Sequence, residues 1–351
     1  MGKYERKRRS NWKRKVLSSL CVVLSLILAV MVAGTVYYES LLNKINRPGE
    51  TETLTHDEIQ QFLEEDVAEA TGTGPTVGED EIILEDQPAE VITKTESVNI
   101  MLVGQDARPG EKRARSDAMI LCTIRKSDNT VIMTSFLRDS YVNIPGIRKG
   151  KLNTSYIYGG MELLSDTILE NFGVEIDNTV EVNFNGFMEI IDTMGGVDIT
   201  LTKDEANYLN SRGNWGVLNE RDWHLTEGVN TLNGSQALAY SRIRSIGTDF
   251  GRTERQRTVL QALVEKVRGL SLTELNNLVN SLVGLITTDM TNAEITGYVL
   301  EFFPMLKDLK IVTQRIPQND TYYFSVISGV GDSIIMDFEK NRAFLKETLG
   351  D

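Results

Sequence analysis

Five arginines, Arg242, Arg244, Arg252, Arg255 and Arg257, fall within sixteen residues of a chain whose formal net charge is −13. Their spacing carries more than their charge. Arg242 and Arg244 are two apart and share a face wherever the backbone is extended. Arg252, Arg255 and Gln256 stand at i, i+3 and i+4 and share a face if a helix begins near Gly251. Two guanidinium groups about 6 Å apart repel by roughly 3 kcal/mol at an effective dielectric near ~20. A fold that gathers them needs an anion to offset that repulsion. The planar guanidinium fork takes phosphate oxygens two at a time. The alternative is a solvated basic face with Asp249 and Glu254 as local partners.

A second polar constellation precedes it. Asp106 and Asp117 stand at the two ends of one loop, each close to an arginine, Arg108 and Arg115. Two carboxylates beside a bound pyrophosphate are what Mg²⁺ prefers: hard oxygens, with phosphate and water filling the other positions. Two ordinary Arg–Asp turn pairs fit the spacing equally well. Gly104 and Gly110 lack the Gly-Lys-Ser/Thr ending of a P-loop, which is rejected. Arg138, in Ser135-Phe-Leu-Arg-Asp139, is one more cation at a strand end. The two histidines are His56 and His224, so any Ser-His-Asp or Cys-His mechanism rests on His224, read as a bystander. Cys122 sits among Ile and Leu as a core thiol, and no Cys/His cluster has zinc spacing.

These residues need a scaffold, and the hydrophobic pattern outlines one. Short apolar runs at 98–103, 118–124 and 131–134 predict strands, followed by a helix at 161–172, a strand at 180–184 and a helix at 186–194. Gly195-Gly196 turns into a strand at 197–201, and helices are expected at 233–240 and 252–268. After Ser271 come two or three helices, a strand at 310–316 and a closing helix at 338–349. This alternation predicts an α/β fold with a mixed open sheet sandwiched between helices in three layers. It occupies residues 97–351 as one large domain.

What precedes that domain sets the compartment. Residues 1–15 carry eight cations against Glu5, and 16–38 contain no charged residue. As a helix, 16–38 would be roughly 35 Å long, enough to cross a hydrocarbon core of about 30 Å. The expectation is a cytoplasmic tail at 1–15, one uncleaved transmembrane helix at 16–38, and everything beyond outside the cell membrane. Cys122 is then the only extracellular cysteine, which excludes an intrachain disulfide there. Residues 39–96 read as an acidic stalk, since 50–96 hold fifteen acids against Lys94. An acidic chain with its arginines outside the membrane excludes a nucleic-acid partner.

Taken in order, Val103-Gly-Gln-Asp-Ala-Arg108, Arg115-Ser-Asp-Ala-Met119, Ser135-Phe-Leu-Arg-Asp139, Ile144-Pro-Gly146, Lys151-Leu-Asn153, Leu232–Arg244 and Asp249–Gln256 resemble the LytR-CpsA-Psr family. The resemblance covers roughly Ser97 to Val267; Phe136-Leu137 depart from the Ile-Pro common before the Arg-Asp pair. It implies a phosphotransferase that moves a glycopolymer, teichoic acid or capsule, from a polyprenyl-pyrophosphate carrier to peptidoglycan in Gram-positive wall assembly. Carried over by position, it implies Mg²⁺ on Asp106 and Asp117, and Arg138 as a catalytic residue with them. It also implies pyrophosphate binding by Arg115, Arg138, Arg242, Arg244, Arg252 and Gln256, with Arg255 fitting the motif. The alternatives are a non-catalytic module that binds wall polymer or lipid pyrophosphate, and a hydrolase of the same lipid.

Overall fold

The structure is a computed structural model in which residues 34–48, 55–69, 76–78, 82, 84, 88–94, 96–105, 115–211, 223–247 and 249–350 are described. The chain divides into two compact units, Met1–Ile45 and Asn46–Asp351. In the first, residues 34–42 are helical, and the rest of the expected span at 16–38 lies outside the described residues. Among the described residues no helix is long and apolar enough to cross a membrane.

The second unit holds the α/β fold. In chain order its strands are β1 (Thr76–Val77), β2 (Ser97–Gln105), β3 (Ser116–Arg125), β4 (Thr130–Phe136), β5 (Tyr141–Ile144), β6 (Arg148–Lys151) and β7 (Asn178–Asn183). They continue as β8 (Val197–Leu201), β9 (Gly228–Leu232), β10 (Ile286–Thr288), β11 (Lys310–Ile316), β12 (Tyr322–Ile327) and β13 (Gly331–Met336). The helices are α1 (His56–Glu69), α2 (Leu152–Phe172), α3 (Phe184–Thr193), α4 (Lys203–Asn210) and α5 (Gly234–Ser241). After them come α6 (Asp249–Arg268), α7 (Leu272–Leu282), α8 (Asn292–Phe302) and α9 (Phe338–Leu349).

Six strands form one mixed sheet in the order β10-β7-β2-β3-β4-β11. It is packed on both faces, as the strand period requires. Met119 and Leu121 of β3 face the large core with Met101, Val103 and Phe136, where Leu164, Ile168 and Phe172 of α2 are buried. Their neighbours Ile120 and Cys122 face the opposite side with Val131 and Met133, against Leu260 and Val264 of α6. Burial pushes the Cys122 thiol up to about 12, so it is the inert core thiol the sequence suggests. Helix α2 begins earlier than the pattern predicts. Gly160 leaves helical geometry at φ 65°, ψ −147°, so 161–172 is its second stretch.

The region expected as a stalk is partly built into this domain. β1 pairs with β12, and Ile82, Leu84 and Ile92 are buried in the large core. Acidic average composition hides these few apolar residues, whose runs are too short to show a period. The hairpins β5–β6 and β12–β13, together with α4, β9 and β10, were not expected from the pattern. Arg148-Lys-Gly-Lys151 carries no apolar alternation at all.

Candidate active site

β2 and β4 run antiparallel to β3, and β11 runs parallel to β4. The carboxyl ends of β2, β4 and β11 therefore meet the start of β3 at one end of the sheet. That end carries Asp117 near the start of β3, Arg138 just past β4 and Arg315 near the end of β11. Gln105, last in β2, donates to Glu181 of β7, whose other oxygen accepts from the Tyr156 hydroxyl. This fixes the strand end from which Asp106 follows. Asp106 and Arg108 themselves lie outside the described residues.

Asp117 is the hub. Its Oδ1 accepts from Arg138 Nη1 at 2.6 Å, with Arg252 Nη1 at 3.7 Å and Arg244 Nη2 at 3.9 Å. Gln256 Nε2 reaches the Asp117 carbonyl at 3.5 Å. Burial opposes ionisation of this carboxyl, but Arg138, Arg252 and Arg244 outweigh it and hold it below the usual range. Arg252 is 2% exposed, bridges on to Asp249 at 2.9 Å, and keeps a buried Nε with no hydrogen-bond partner. Burial and the neighbouring Arg138 push it toward deprotonation, though an arginine stays charged. Arg138 is raised instead: Asp139, Asp117 and Asp249 outweigh its burial.

Of the predicted set, the structure thus gathers Asp117, Arg138, Arg244, Arg252 and Gln256. Arg115 meets Arg138 on a cavity of about 350 Å³, also lined by Arg148, Lys151, Asp139 and Asp332. Four cations and two carboxylates leave this cavity electropositive. Arg242 is not among the contacts of Asp117; it stacks over Phe184 of α3 at 4.5 Å.

Arg255 turns away from this group. Its Nε donates to Glu205 Oε1 at 2.7 Å, Nη1 to the Ile243 carbonyl at 3.2 Å and Nη2 to the Ile246 carbonyl at 2.9 Å. On a helix Arg255 lies about 60° from Arg252, near enough to share its face, so it is the acceptors and not the helical spacing that draw it away. It clamps the loop that carries Arg244. Arg257, on a further face, is buried with Nη1 on Ser135 Oγ at 2.7 Å, and so is no silent surface residue.

Asp139, Asp249, Lys151 and Arg148 were not singled out as site residues. Asp249 sits three before Arg252, a helical spacing legible in the sequence. The β5–β6 residues carry no such signal until the hairpin is known. His224 is exposed, in keeping with a bystander.

A sequence model of the LytR_cpsA_psr family matches residues 68–342. The chain belongs to the LytR-CpsA-Psr family. Among curated relatives, it is 32% identical over 222 residues to the polyisoprenyl-teichoic acid–peptidoglycan teichoic acid transferase TagT of Bacillus subtilis. That match spans 62% of this chain and 66% of the relative, just short of two thirds. The TagU transferase of Oceanobacillus iheyensis is 31% identical over 262 residues, 72% of this chain and 76% of that one. A solved structure of TagT with bound octaprenyl pyrophosphate lipid superposes with a TM-score of 0.56 at 27% identity, over 75% of this chain and 95% of that one. This LytR-CpsA-Psr member shares their mixed α/β architecture.

Proposed function

We propose that this domain is a phosphotransferase that moves a glycopolymer from a polyprenyl-pyrophosphate carrier to peptidoglycan. The observation that carries the reading is Asp117 Oδ1 approached by Arg138, Arg244 and Arg252 at the rim of an electropositive cavity. Asp139 and Asp249 pair with Arg138 and Arg252, but with Arg115, Arg148 and Lys151 on the cavity six cations face four carboxylates (Asp117, Asp139, Asp249 and Asp332), which leaves positive charge to be met by an anion. The names of TagT and TagU, and the lipid pyrophosphate bound to TagT, identify an anion of that kind in relatives.

In the transfer, an acceptor hydroxyl attacks the phosphorus nearer the sugar and forms a phosphodiester. The bridging P–O bond breaks, polyprenyl phosphate leaves with the electron pair, and the proton given up by the hydroxyl ends on the leaving phosphate or in solvent. Arg138 and Arg244 neutralise charge on the phosphates, and electrostatic stabilisation of this kind carries most phosphoryl transfers. Asp117 orients the guanidiniums. Its depressed pKa makes it a poor proton acceptor, so it is not assigned as the general base.

Asp117 suits a hard cation as well. The three arginines approach Oδ1, and among the described residues Oδ2 accepts no hydrogen bond. Together with Asp106 it would hold Mg²⁺, which supplies further charge neutralisation on phosphate oxygens. The uncharged run 16–38 behind a basic tail supports a single-pass anchor with this domain outside the cell.

The test is mass spectrometry of lipid that co-purifies with the full chain, followed by transfer to peptidoglycan with wild type and Arg138→Ala. A polyprenyl pyrophosphate that transfers its glycan only with the wild type is the expected result. Release of free glycan phosphate without a peptidoglycan product would make the protein a hydrolase instead.

A further inference from the structure

An aromatic shelf adjoins the arginine group and is left unused by the reading above. Phe250, next to Asp249 at the start of α6, packs against Tyr322 of β12 with ring centroids 4.8 Å apart. Phe324 meets Tyr322 at 5.6 Å and 83°, and Phe250 at 6.4 Å. Residues 322 and 324 share one face of β12 by strand alternation. Phe324 is 63% exposed, an unusual position for so large an apolar ring. Arg315 lies over Phe250 with its guanidinium carbon 4.1 Å from the ring centre, and donates to Asn319 Oδ1. Among the described residues Arg315 forms no ion pair. Arg257, buried and near enough to Arg315 to feel its charge, adds to the positive potential.

We propose that Phe250, Tyr322, Phe324 and Arg315 form the docking shelf for the acceptor, an anionic peptidoglycan glycan strand. The proposal rests on the transferase reading. Ring faces stepped at steep angles offer apolar surfaces to the C–H faces of pyranose rings, with polar tips at hand for hydroxyls. A deep groove for an isoprenoid chain is not what three stepped rings make. Arg315 adds charge complementarity, since peptide stems on the strand carry carboxylates and, among the described residues, the guanidinium has no acid paired with it. The shelf is also a second place, distinct from the donor's. None of its four residues lines the cavity of Arg115, Arg138, Arg148 and Lys151, which suits phosphates. The two are joined through Asp249, which pairs with Arg252 and precedes Phe250. A strand held there is delivered to the edge of the Asp117 group, where an attacking hydroxyl is needed.

The test uses the full chain in phosphatidylcholine nanodiscs, titrated with uncrosslinked glycan strands that retain their peptide stems. Phe324→Ala and Arg315→Ala are expected to weaken strand binding roughly three- to tenfold. In the transfer assay they raise the half-saturating acceptor concentration by the same factor and leave that of the donor lipid unchanged. Tyr323→Ala, equally exposed but on the opposite face of β12, changes neither. On strands stripped of their stems, Arg315→Ala and wild type bind alike. Unchanged strand binding in both Phe324→Ala and Arg315→Ala overturns the proposal, as does a rise in donor rather than acceptor half-saturation. So does hydrogen-exchange protection of residues 318–327 that comes from equal parts phosphatidylglycerol in the nanodisc and not from glycan. If wild type binds strands through these residues yet transfers no polymer, the transferase reading fails and the shelf stands as a glycan site.

Discussion

Arg252 and Arg255 stand one helical turn apart in α6, are both buried, and serve opposite purposes. All three nitrogens of Arg255 have acceptors: Glu205 and the carbonyls of Ile243 and Ile246. Glu205 is equally complete, since its other oxygen accepts from the backbone and hydroxyl of Thr202 at the cap of α4. Arg252 has a buried Nε without a partner, and it shares Oδ1 of Asp117 with Arg138 and Arg244. A closed ledger of donors and acceptors marks a structural cation. An orphan Nε alone does not mark a cation placed for a ligand, since Arg257 and Arg268 have one too; what marks Arg252 is the Asp117 oxygen it shares with two other guanidiniums. Residue type and burial are the same in Arg252 and Arg255, so only the partners tell them apart.

The largest effect is expected at the closed cluster. Arg255→Ala strands the Glu205 carboxylate in a buried site, and breaking such a pair costs about 3–5 kcal/mol. Urea unfolding would show it as a lower midpoint with unchanged slope. Arg255→Ala with Glu205→Ala should lose less than the two single losses added. An additive double mutant would remove the basis for calling Arg255 structural.

Next come two arginines that should separate stability from binding. Arg244, 54% exposed in its side chain, contributes little to the fold. Each charge-assisted hydrogen bond is worth roughly 1.5–3 kcal/mol. Arg244→Ala should therefore weaken lipid-pyrophosphate binding about ten- to a hundredfold at unchanged thermal stability, with little rescue by Arg244→Lys. Arg257→Ala should do the reverse. It loses the Ser135 contact, costs about 1.5–3 kcal/mol of stability, and leaves lipid affinity unchanged. If Arg257→Ala weakens lipid binding as much as Arg244→Ala does, net charge rather than a shaped site is at work.

A smaller effect lies in pH. Asp117 has a folded pKa below its ordinary 3.8, so its ion pairs stabilise the fold fully above that value. The contribution is lost as pH falls through the lower folded value. The stability difference between wild type and Asp117→Asn should be flat from neutral pH down to about 5, then shrink below the ordinary value. A difference already shrinking near neutrality would contradict the three-arginine environment.

How much of this was legible beforehand follows the same division. The strands 98–103, 118–124 and 131–134 were readable because each is a dense apolar run, and Asp117, Arg138, Arg244 and Arg252 because strand ends and helical spacing aim them at one place. The β12–β13 hairpin escaped notice because Tyr322, Tyr323 and Phe324 lie in a row and show no alternation. Arg255 and Arg257 could not be told apart from Arg252 in the sequence for a different reason. Spacing fixes the direction of a side chain to within a helical face, but the acceptor waiting there comes from distant sequence: Glu205 for one, Ser135 for the other.

The smallest expected effect belongs to Arg268, at the far end of α6. Its Nη1 pairs with Glu265 at 2.8 Å, an i, i+3 partner that is 58% exposed. Surface pairs of this kind contribute about 0–1 kcal/mol, because water screens the attraction and both side chains lose rotamer freedom. Nη2 also donates to the Leu309 carbonyl, which ties the end of α6 to the start of β11. Arg268 also keeps a buried Nε without a partner, but its ion-pair partner lies in a wet setting, where a stranded carboxylate is recovered by solvent. Arg268→Ala should thus shift the unfolding midpoint only slightly and leave lipid affinity untouched, as read by denaturant titration and lipid binding on one preparation. A loss as large as that of Arg255→Ala would mean that burial of the partner does not set the cost, and the contrast between Arg252 and Arg255 would lose its physical basis.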